Sequence, residues 1–360
     1  MIAIQLAVVG LLGSVAWAMP SLTKPTLPFG VRVPPDRQHD PAIDRARRQY
    51  RLAVTAVTVL VLGVAGLVDR TGDAAPAALV PLGFVLLTWT CYYRAHRQLR
   101  AVKHEQAWYS GHRQVAVTDT GLRTAPPAYP WAWALVPVVI VGATLTGGII
   151  AYPHLAARIP MHYSSSGVDR WADRTPLTAF SGVLTQVALT VLLLWLCATV
   201  TRSRPDLDAD DPAGSADRYR RFVGQMQRAL LVLTAAGDVS LGAVQALSWA
   251  GTRSAALVTV TGTVPTLVGL GAVLAVAVRA GQGGSRLRTP TGAPRAGDIA
   301  DRDDDDRWYA GGLYVNPNDP AFLVPKRYGI GWTLNFAHPA AWLLLAALIA
   351  VPILVRIATR

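Results

Sequence analysis

The chain has 360 residues, of which 52% are hydrophobic and only 16% are charged. Soluble domains usually carry about 25% charged residues, so this composition excludes an ordinary soluble protein. The formal net charge of +12 would indicate nucleic-acid binding in a soluble chain. In a membrane chain the same charge follows from basic cytoplasmic loops, and we expect no nucleic-acid partner.

Apolar runs of about 18–24 residues recur along the chain, and a helix of about 20 apolar residues crosses a bilayer. The pattern predicts an all-α integral membrane protein with about eight transmembrane helices, whose first partner is the lipid bilayer. We place the spans at 1–19, 52–68, 74–93, 133–151, 178–200, 229–250, 255–278 and 340–355.

Lys and Arg are concentrated in alternate connections between these spans. Segments 20–51, 94–130, 201–228 and 279–339 hold 27 of the 34 Lys and Arg residues. Because cytoplasmic loops carry excess positive charge, we expect these segments in the cytoplasm, both termini outside, and the protein in the cell (plasma) membrane. The first span lacks the basic start of a signal peptide, so we expect it to remain uncleaved.

These expectations divide the chain into six parts. Low hydrophobicity and high charge favour disorder in 279–306, and Pro, Gly and charged residues also indicate flexibility in 204–221. The parts are an N-terminal region of three helices and two basic loops (1–132), a helical hairpin with an outer loop (133–200), a linker and two helices (201–278), a disordered linker (279–306), an aromatic-rich cytoplasmic domain (307–339) and the last helix (340–360).

The outer loop is the polar stretch RIPMHYSSSGVDRWADRTPL, residues 158–177. Pro160 restricts the backbone, Gly167 permits a reversal, and Trp171 suits the aromatic belt at a membrane surface. His162 is the side chain that titrates near neutral pH. Two interpretations remain open, a rigid interfacial cap and an external recognition site with His162 as a polar contact. The spacing matches no known metal site.

The stretch IPMHYSSSGVDRWADRT resembles the domain-of-unknown-function family numbered 1648, found in SdpI-like bacterial membrane proteins. The resemblance covers about fifty residues, roughly 133–188, and Ser164 departs from the Asn or Asp that often follows the aromatic residue. The residues that carry it are our candidate outer binding residues: Pro160, His162, Tyr163, Gly167, Asp169 and Trp171.

The stretch before the last span, 303–339, combines turn signals with many aromatic residues. It predicts a small folded cap against the bundle or the lipid headgroups. The motif resembles a second bacterial domain of unknown function, numbered 5808, on a dense pattern that runs from Trp308 to Phe336. Our candidate inner binding residues are Trp308, Tyr314, Asn316, Asp319, Lys326, Arg327, Trp332 and Asn335.

One carboxylate, Asp238, lies within a predicted span, and Gln245 follows seven residues later on the same helix face. Intramembrane carboxylates are costly and often functional. Asp238 therefore fits either a proton or ion site or a hydrogen-bonded latch between helices. The expected latch partners are threonines of the next span: Thr259, Thr261, Thr263 and Thr266.

The sequence carries no enzyme signature, and we expect neither an enzyme nor a cofactor nor a metal site. Within the SdpI-like group the resemblance implies immunity to a secreted toxic peptide, coupled to sequestration of a soluble regulator. The implied partners are a peptide outside and a regulator inside. The alternatives are a proton- or ion-coupled transporter that uses Asp238 and a structural membrane protein.

Overall fold

The computed structural model describes residues 2–70, 74–164, 167–288 and 299–358. Most of these residues are helical, and the helices follow the apolar runs of the sequence. The helices are α1 (Ile2–Leu22), α2 (Pro41–Asp69), α3 (Ala74–Glu105), α4 (Gly121–Thr124), α5 (Trp131–Ala151), α6 (Pro176–Thr199), α7 (Pro212–Trp249), α8 (Ala255–Ala280) and α9 (Pro339–Ala358).

Five stretches of the described chain are long and apolar enough to cross a membrane. They contain the second, fourth, fifth, sixth and seventh predicted spans, so the prediction of a multi-pass membrane protein is confirmed. The other three predicted spans lie in α1, α3 and α9, and eight crossings remain a prediction. The five stretches are Pro41–Val68, Trp131–His154, Pro176–Arg202, Pro212–Trp249 and Ala255–Gly284.

Polar capping residues determine where several helices begin. The side chain of Asp40 accepts a hydrogen bond from the backbone N–H of Ala42 at the start of α2. Thr175 and Thr178 form a reciprocal capping box at the start of α6. Asp211 caps α7 through the N–H of Gly214. These side chains satisfy the free N–H groups of a first helical turn, which stabilises a helix by about 1 kcal/mol per cap.

The described connections also contain four two-stranded sheets, so all-α describes the predicted spans but not the segments between them. A short strand forms here wherever a connection folds back on itself or meets another connection. One pair is parallel and joins β1 (Arg113–Val115) to β4 (Ile299–Asp301). The other three pairs are antiparallel: β2 (Arg158–Ser164) with β3 (Gly167–Asp173), β5 (Trp308–Tyr309) with β6 (Leu313–Tyr314), and β7 (Leu323–Pro325) with β8 (Trp332–Leu334).

The four basic segments meet at one end of the helix bundle, which we call the polar end: the described residues of 20–40, 103–130, 200–218 and 281–338. Lys24 contacts Asp206 at 3.2 Å, and Lys103 contacts Asp305 at 2.6 Å. The β2–β3 hairpin lies where α7 ends, since Ser248 donates to its backbone. The segments that we expect on one side of the membrane therefore lie together, and the side itself remains a prediction.

The linker expected to be disordered, 279–306, is ordered in its described parts. Gln282–Gly284 forms a turn of 3-10 helix, and β4 pairs in register with β1. Asp305 is buried, because its charge is matched by cations from distant segments. The prediction is therefore wrong for 281–288 and 299–306, whereas 289–298 lies outside the described residues. Flexibility at 204–221 is likewise not observed, since α7 begins at Pro212.

Large apolar side chains point outward along the spans. Leu52 is 72% exposed, and Ile150 and Val268 are each 67% exposed. Such exposure would be unfavourable in water, where each buried Leu or Ile side chain contributes about 1.5–3 kcal/mol. A lipid environment removes that cost. The arrangement therefore fits a bundle whose sides face a bilayer and whose polar contacts are confined to the interior and the ends.

Candidate functional site

The outer loop folds as a β-hairpin, not as an irregular loop. In its register Arg158 faces Asp173 and Pro160 faces Trp171, and the register shifts on both sides of His162. Gly167 begins β3 with a φ of +121°, a conformation that L side chains rarely adopt. The hairpin therefore needs glycine at this position, as the sequence indicated.

An exposed His–Asp pair is the most prominent polar feature of the hairpin. The shifted register brings His162 Nδ1 to 2.7 Å from Asp169 Oδ1, although seven residues separate them. The two side chains are 64% and 44% exposed. A donor and an acceptor thus lie together on an accessible surface, where a bound molecule can contact both.

The other side of the hairpin is fixed to the helix bundle. Ser248 of α7 donates to the carbonyl of Pro160 at 2.7 Å, and the Tyr163 hydroxyl donates to the carbonyl of Thr252 at 3.0 Å. Ile159 is buried and packs in a cluster with Trp249. These contacts attach β2 to the end of α7 and to the segment that follows it.

The six candidate outer residues therefore have different roles. His162 and Asp169 are accessible, whereas Pro160 and Tyr163 hold the hairpin on α7. Trp171 is half-buried, and the guanidinium of Arg253 lies 5.9 Å from the centre of its ring. The structure brings all six into one hairpin, and of the six it leaves the side chains of His162 and Asp169 accessible.

Asp238 lies on α7, where that helix contacts α6, and it is 3% exposed. Thr190 donates to its carboxylate, at 2.8 Å from Oδ1 and 3.0 Å from Oδ2. Gln186 donates to the backbone carbonyl of Asp238 at 3.1 Å. The latch partner is thus the preceding span, not the next one, and the expected threonine contacts are wrong. α8 contributes instead through Thr266, which bonds with Ser240.

Gln245 also contacts α6, since its side-chain amide donates to the carbonyl of Ala179 at 3.3 Å. Asp238 and Gln245 therefore bind the same neighbouring helix, about two turns apart along α7. Both contacts satisfy polar groups inside the bundle, which matches the latch interpretation in geometry.

Most candidate inner residues are used within the polar end itself. Asn335 is 1% exposed, and its amide donates to the carbonyls of Asn316 and Asp319 at 2.9 and 3.0 Å. The Tyr314 hydroxyl donates to Asp319 at 2.9 Å, and Trp332 donates to the Tyr219 hydroxyl at 3.2 Å. These residues hold the aromatic domain together and against α7.

A buried ionic network, which the sequence did not indicate, connects the polar end. Arg32 lies 2.9 Å from Asp206, 3.2 Å from Asp301 and 3.1 Å from Asp304. Arg327 contacts both Asp304 and Asp305. We define the ionic network as Lys24, Arg32, Lys103, Arg327, Asp206, Asp301, Asp304 and Asp305.

The charges of this network hold one another in the ionised state. Burial alone would raise the pKa of Asp206, but Arg32 and Lys24 outweigh burial and hold that pKa below its usual 3.8. Burial would likewise raise the pKa of Asp305, and the charges of Arg327 and Lys103 lower it. The pairs therefore stay charged at neutral pH, and their contribution to stability is lost only as pH falls below the ordinary aspartate range.

Asp301 behaves differently, because burial raises its pKa even though Lys24 and Arg32 oppose the shift. Among the cations, burial would lower the pKa of Lys24, but Asp206, Asp208 and Asp301 raise it above 10.5.

Among the residues described by the structure, no group of three His, Cys, Asp or Glu could hold a metal ion.

Two family models match parts of the chain. Residues 139–185 match a domain of unknown function, DUF1648, and residues 317–342 match a family of unknown function, DUF5808. The first match covers most of α5, the hairpin and the beginning of α6, and the second begins after Trp308 and Tyr314. No curated protein and no solved structure matches the chain. The chain is therefore a multi-pass membrane protein that carries a DUF1648 domain and a DUF5808 domain.

Proposed function

We propose that the protein is a membrane recognition protein of the SdpI-like kind, whose β2–β3 hairpin binds a secreted peptide outside the cell. The observation that carries this proposal is the exposed His162–Asp169 pair on a hairpin that is otherwise fixed to the bundle. The anchoring residues are used by the fold, whereas this pair is accessible. A rigid base with an accessible polar pair suits recognition, because little order is lost on binding.

Helix α7 offers a direct route from the hairpin to the polar end. Its 38 residues span about 57 Å at 1.5 Å per residue. Its end contacts the hairpin through Ser248, and Arg218 near its beginning lies 2.8 Å from both Asp208 and Asp211. A small displacement of the hairpin can therefore reach the polar end along one continuous element.

In this proposal the polar end faces a soluble regulator in the cytoplasm. Because all the candidate inner residues except Lys326 are buried or partly buried, the regulator would contact their exposed neighbours. Tyr309 and Leu313 are 58% and 45% exposed and lie opposite each other in the β5–β6 pair. Aromatic and apolar side chains of this kind are typical anchors in protein interfaces.

The test is a protection assay in the native host. A strain that lacks the protein is challenged with concentrated culture supernatant of its parent strain, which contains the parent's secreted peptides. We expect the unmodified protein to restore growth and His162→Ala to lower the protective titre about tenfold, the effect of losing about 1.4 kcal/mol of binding.

Arg158→Ala is the matched control, because Arg158 is an exposed residue of the same hairpin, and its one ion pair within the described residues is with the exposed Asp173. It should protect as well as the unmodified protein. Equal protection by His162→Ala, at equal amounts of protein in the membrane, would reject the hairpin as the recognition site. A deletion strain as resistant as its parent would reject the immunity role.

The two alternatives have less support. The transport alternative needs an Asp238 that exchanges protons or ions, but Asp238 is 3% exposed and its carboxylate lies against the Thr190 hydroxyl. The structural alternative gives the exposed His162–Asp169 pair no role. It would be favoured if His162→Ala changed the stability of the protein and not the protection.

A further inference from the structure

The polar end contains a pocket lined by many charged side chains. It lies between the segment after α1, the beginning of α7, the turn after α8 and the aromatic domain. Three carboxylates and six cations line it, and the cations are Lys24, Arg32, Arg204, Arg218, Lys326 and Arg327. Five of these cations are ion-paired with aspartates that line or adjoin the pocket, and among the described residues Lys326 is the exception.

The carboxylates of the pocket are already paired with some of these cations. Asp206 accepts from Lys24 and Arg32, and Asp208 lies 2.6 Å from Lys24. Lys326 is different, because within the described part of the chain its ammonium group has no ion pair or hydrogen bond. Its side chain is exposed and lies on the wall of the pocket.

Two further donors of the pocket residues lack partners. Arg327 Nε and Trp308 Nε1 are buried and have no hydrogen-bond partner among the described residues. Arg327 is 2% and Trp308 4% exposed. Buried polar groups in proteins are almost always hydrogen-bonded. All three unsatisfied groups at this pocket are N–H donors, so the complementary ligand is rich in acceptors.

We propose that this pocket binds an anion that carries a phosphate group, with Lys326, Arg327 and Trp308 as donors. A phosphate group offers several acceptor oxygens and up to two negative charges, which suits three N–H donors, one of them on a cation without a counter-charge. Charge-assisted bonds of this kind are about twice as strong as neutral ones. The source is either the headgroup of an anionic phospholipid or a soluble phosphate compound. The proposal does not depend on the role of the hairpin.

The test uses the full chain in nanodiscs of zwitterionic phosphatidylcholine. Inorganic phosphate is titrated at constant ionic strength, with chloride as the reference anion, and binding is measured by calorimetry and by the shift in Tm. A ligand that binds only the folded protein raises Tm. In a second set of nanodiscs, anionic phosphatidylglycerol replaces part of the lipid and the Tm is compared.

If the ligand is soluble phosphate, Lys326→Ala should weaken its binding at least about tenfold. If the ligand is a headgroup, Lys326→Ala should reduce the Tm gain from phosphatidylglycerol. Lys326→Arg should retain binding in either case. Arg302→Ala is the matched control, since Arg302 is exposed at the same end and does not line the pocket. Neither alanine change should alter the Tm without ligand, because neither side chain has an ion pair in the described structure.

The two arms identify the source of the anion. Saturable binding of inorganic phosphate indicates a soluble compound, whereas a Tm gain only with phosphatidylglycerol indicates a headgroup. The proposal is overturned if neither anion has an effect beyond that of chloride. It is also overturned if Lys326→Ala responds like the unmodified protein, or if Arg302→Ala loses the response equally.

Discussion

Two adjacent carboxylates show how burial decides the role of a residue at the polar end. The Asp305 side chain is 5% exposed and lies 2.6 Å from Lys103, whereas the Asp306 side chain is 92% exposed and pairs with Arg100 at the surface. Water screens the second pair and not the first. A surface pair contributes about 0–1 kcal/mol, but a buried charge left without its partner costs far more.

We therefore expect Asp305→Asn to lower the free energy of unfolding by about 3 kcal/mol, because Lys103 and Arg327 would remain buried with only Asp303 and Asp304, respectively, as counter-charges. Asp306→Asn should change it by less than about 1 kcal/mol. Denaturant unfolding of the two variants in the same detergent micelles measures both values. Similar values for the two variants would show that the ionic network does not stabilise the polar end.

At the residue scale the sequence identified accessible groups better than buried partners. His162 and Asp169 could be named because a titratable group in a short polar loop is visible in the sequence. The ionic network could not, since Arg32 and Asp305 are separated by 273 positions. Excess Lys and Arg in the connections predicted a membrane side, and no local pattern showed which aspartates those cations meet.

At the scale of elements, apolar runs predicted helices, while the connections were predicted less well. The hairpin was expected as a polar loop, although Ile159, Met161 and Tyr163 alternate with other residues in the run from Arg158 to Ser164. The register shifts around His162 interrupt the pairing, so burial does not follow that alternation. Helix α7 begins at Pro212, well before the predicted span at 229, because its first turns pack in the polar end and not in lipid.

Close packing of helices at the hairpin end provides a test at this scale. A Cβ atom at Gly148 of α5 would lie 2.5 Å from the ring of Trp249 and 2.8 Å from that of Phe180. The indole of Trp249 donates to Ala179 at 2.8 Å, so the ring cannot move without losing that bond. Glycine is therefore required where α5, α6 and α7 meet.

We expect Gly148→Ala to lower the free energy of unfolding by about 1–3 kcal/mol, the usual effect of overpacking. Gly147→Ala is the control on the same helix, because a Cβ there meets nothing within 4 Å, and alanine favours a helix over glycine. Denaturant titrations in micelles compare the two. If Gly148→Ala were as stable as Gly147→Ala, the contact between α5 and Trp249 would be looser than the structure indicates.

At the scale of the whole molecule, the charge distribution predicted an arrangement that the contacts support. Segments separated along the chain by one or more spans meet at the polar end, and the hairpin lies at the other end of α7. Counting Lys and Arg was sufficient for this grouping. It could not give the shape of the polar end, because the short strands and buried ion pairs form between segments far apart in sequence.

The most direct test of the central claim, that the hairpin is outside and the polar end is cytoplasmic, is cysteine labelling in intact cells. Single cysteines replace Arg158, 67% exposed on the hairpin, or Asp306, 92% exposed at the polar end, after Cys91 and Cys197 are changed to serine. We predict that a membrane-impermeant maleimide labels Arg158→Cys in intact cells and Asp306→Cys only after permeabilisation. The reverse pattern would contradict both the orientation and a peptide-binding role for the hairpin.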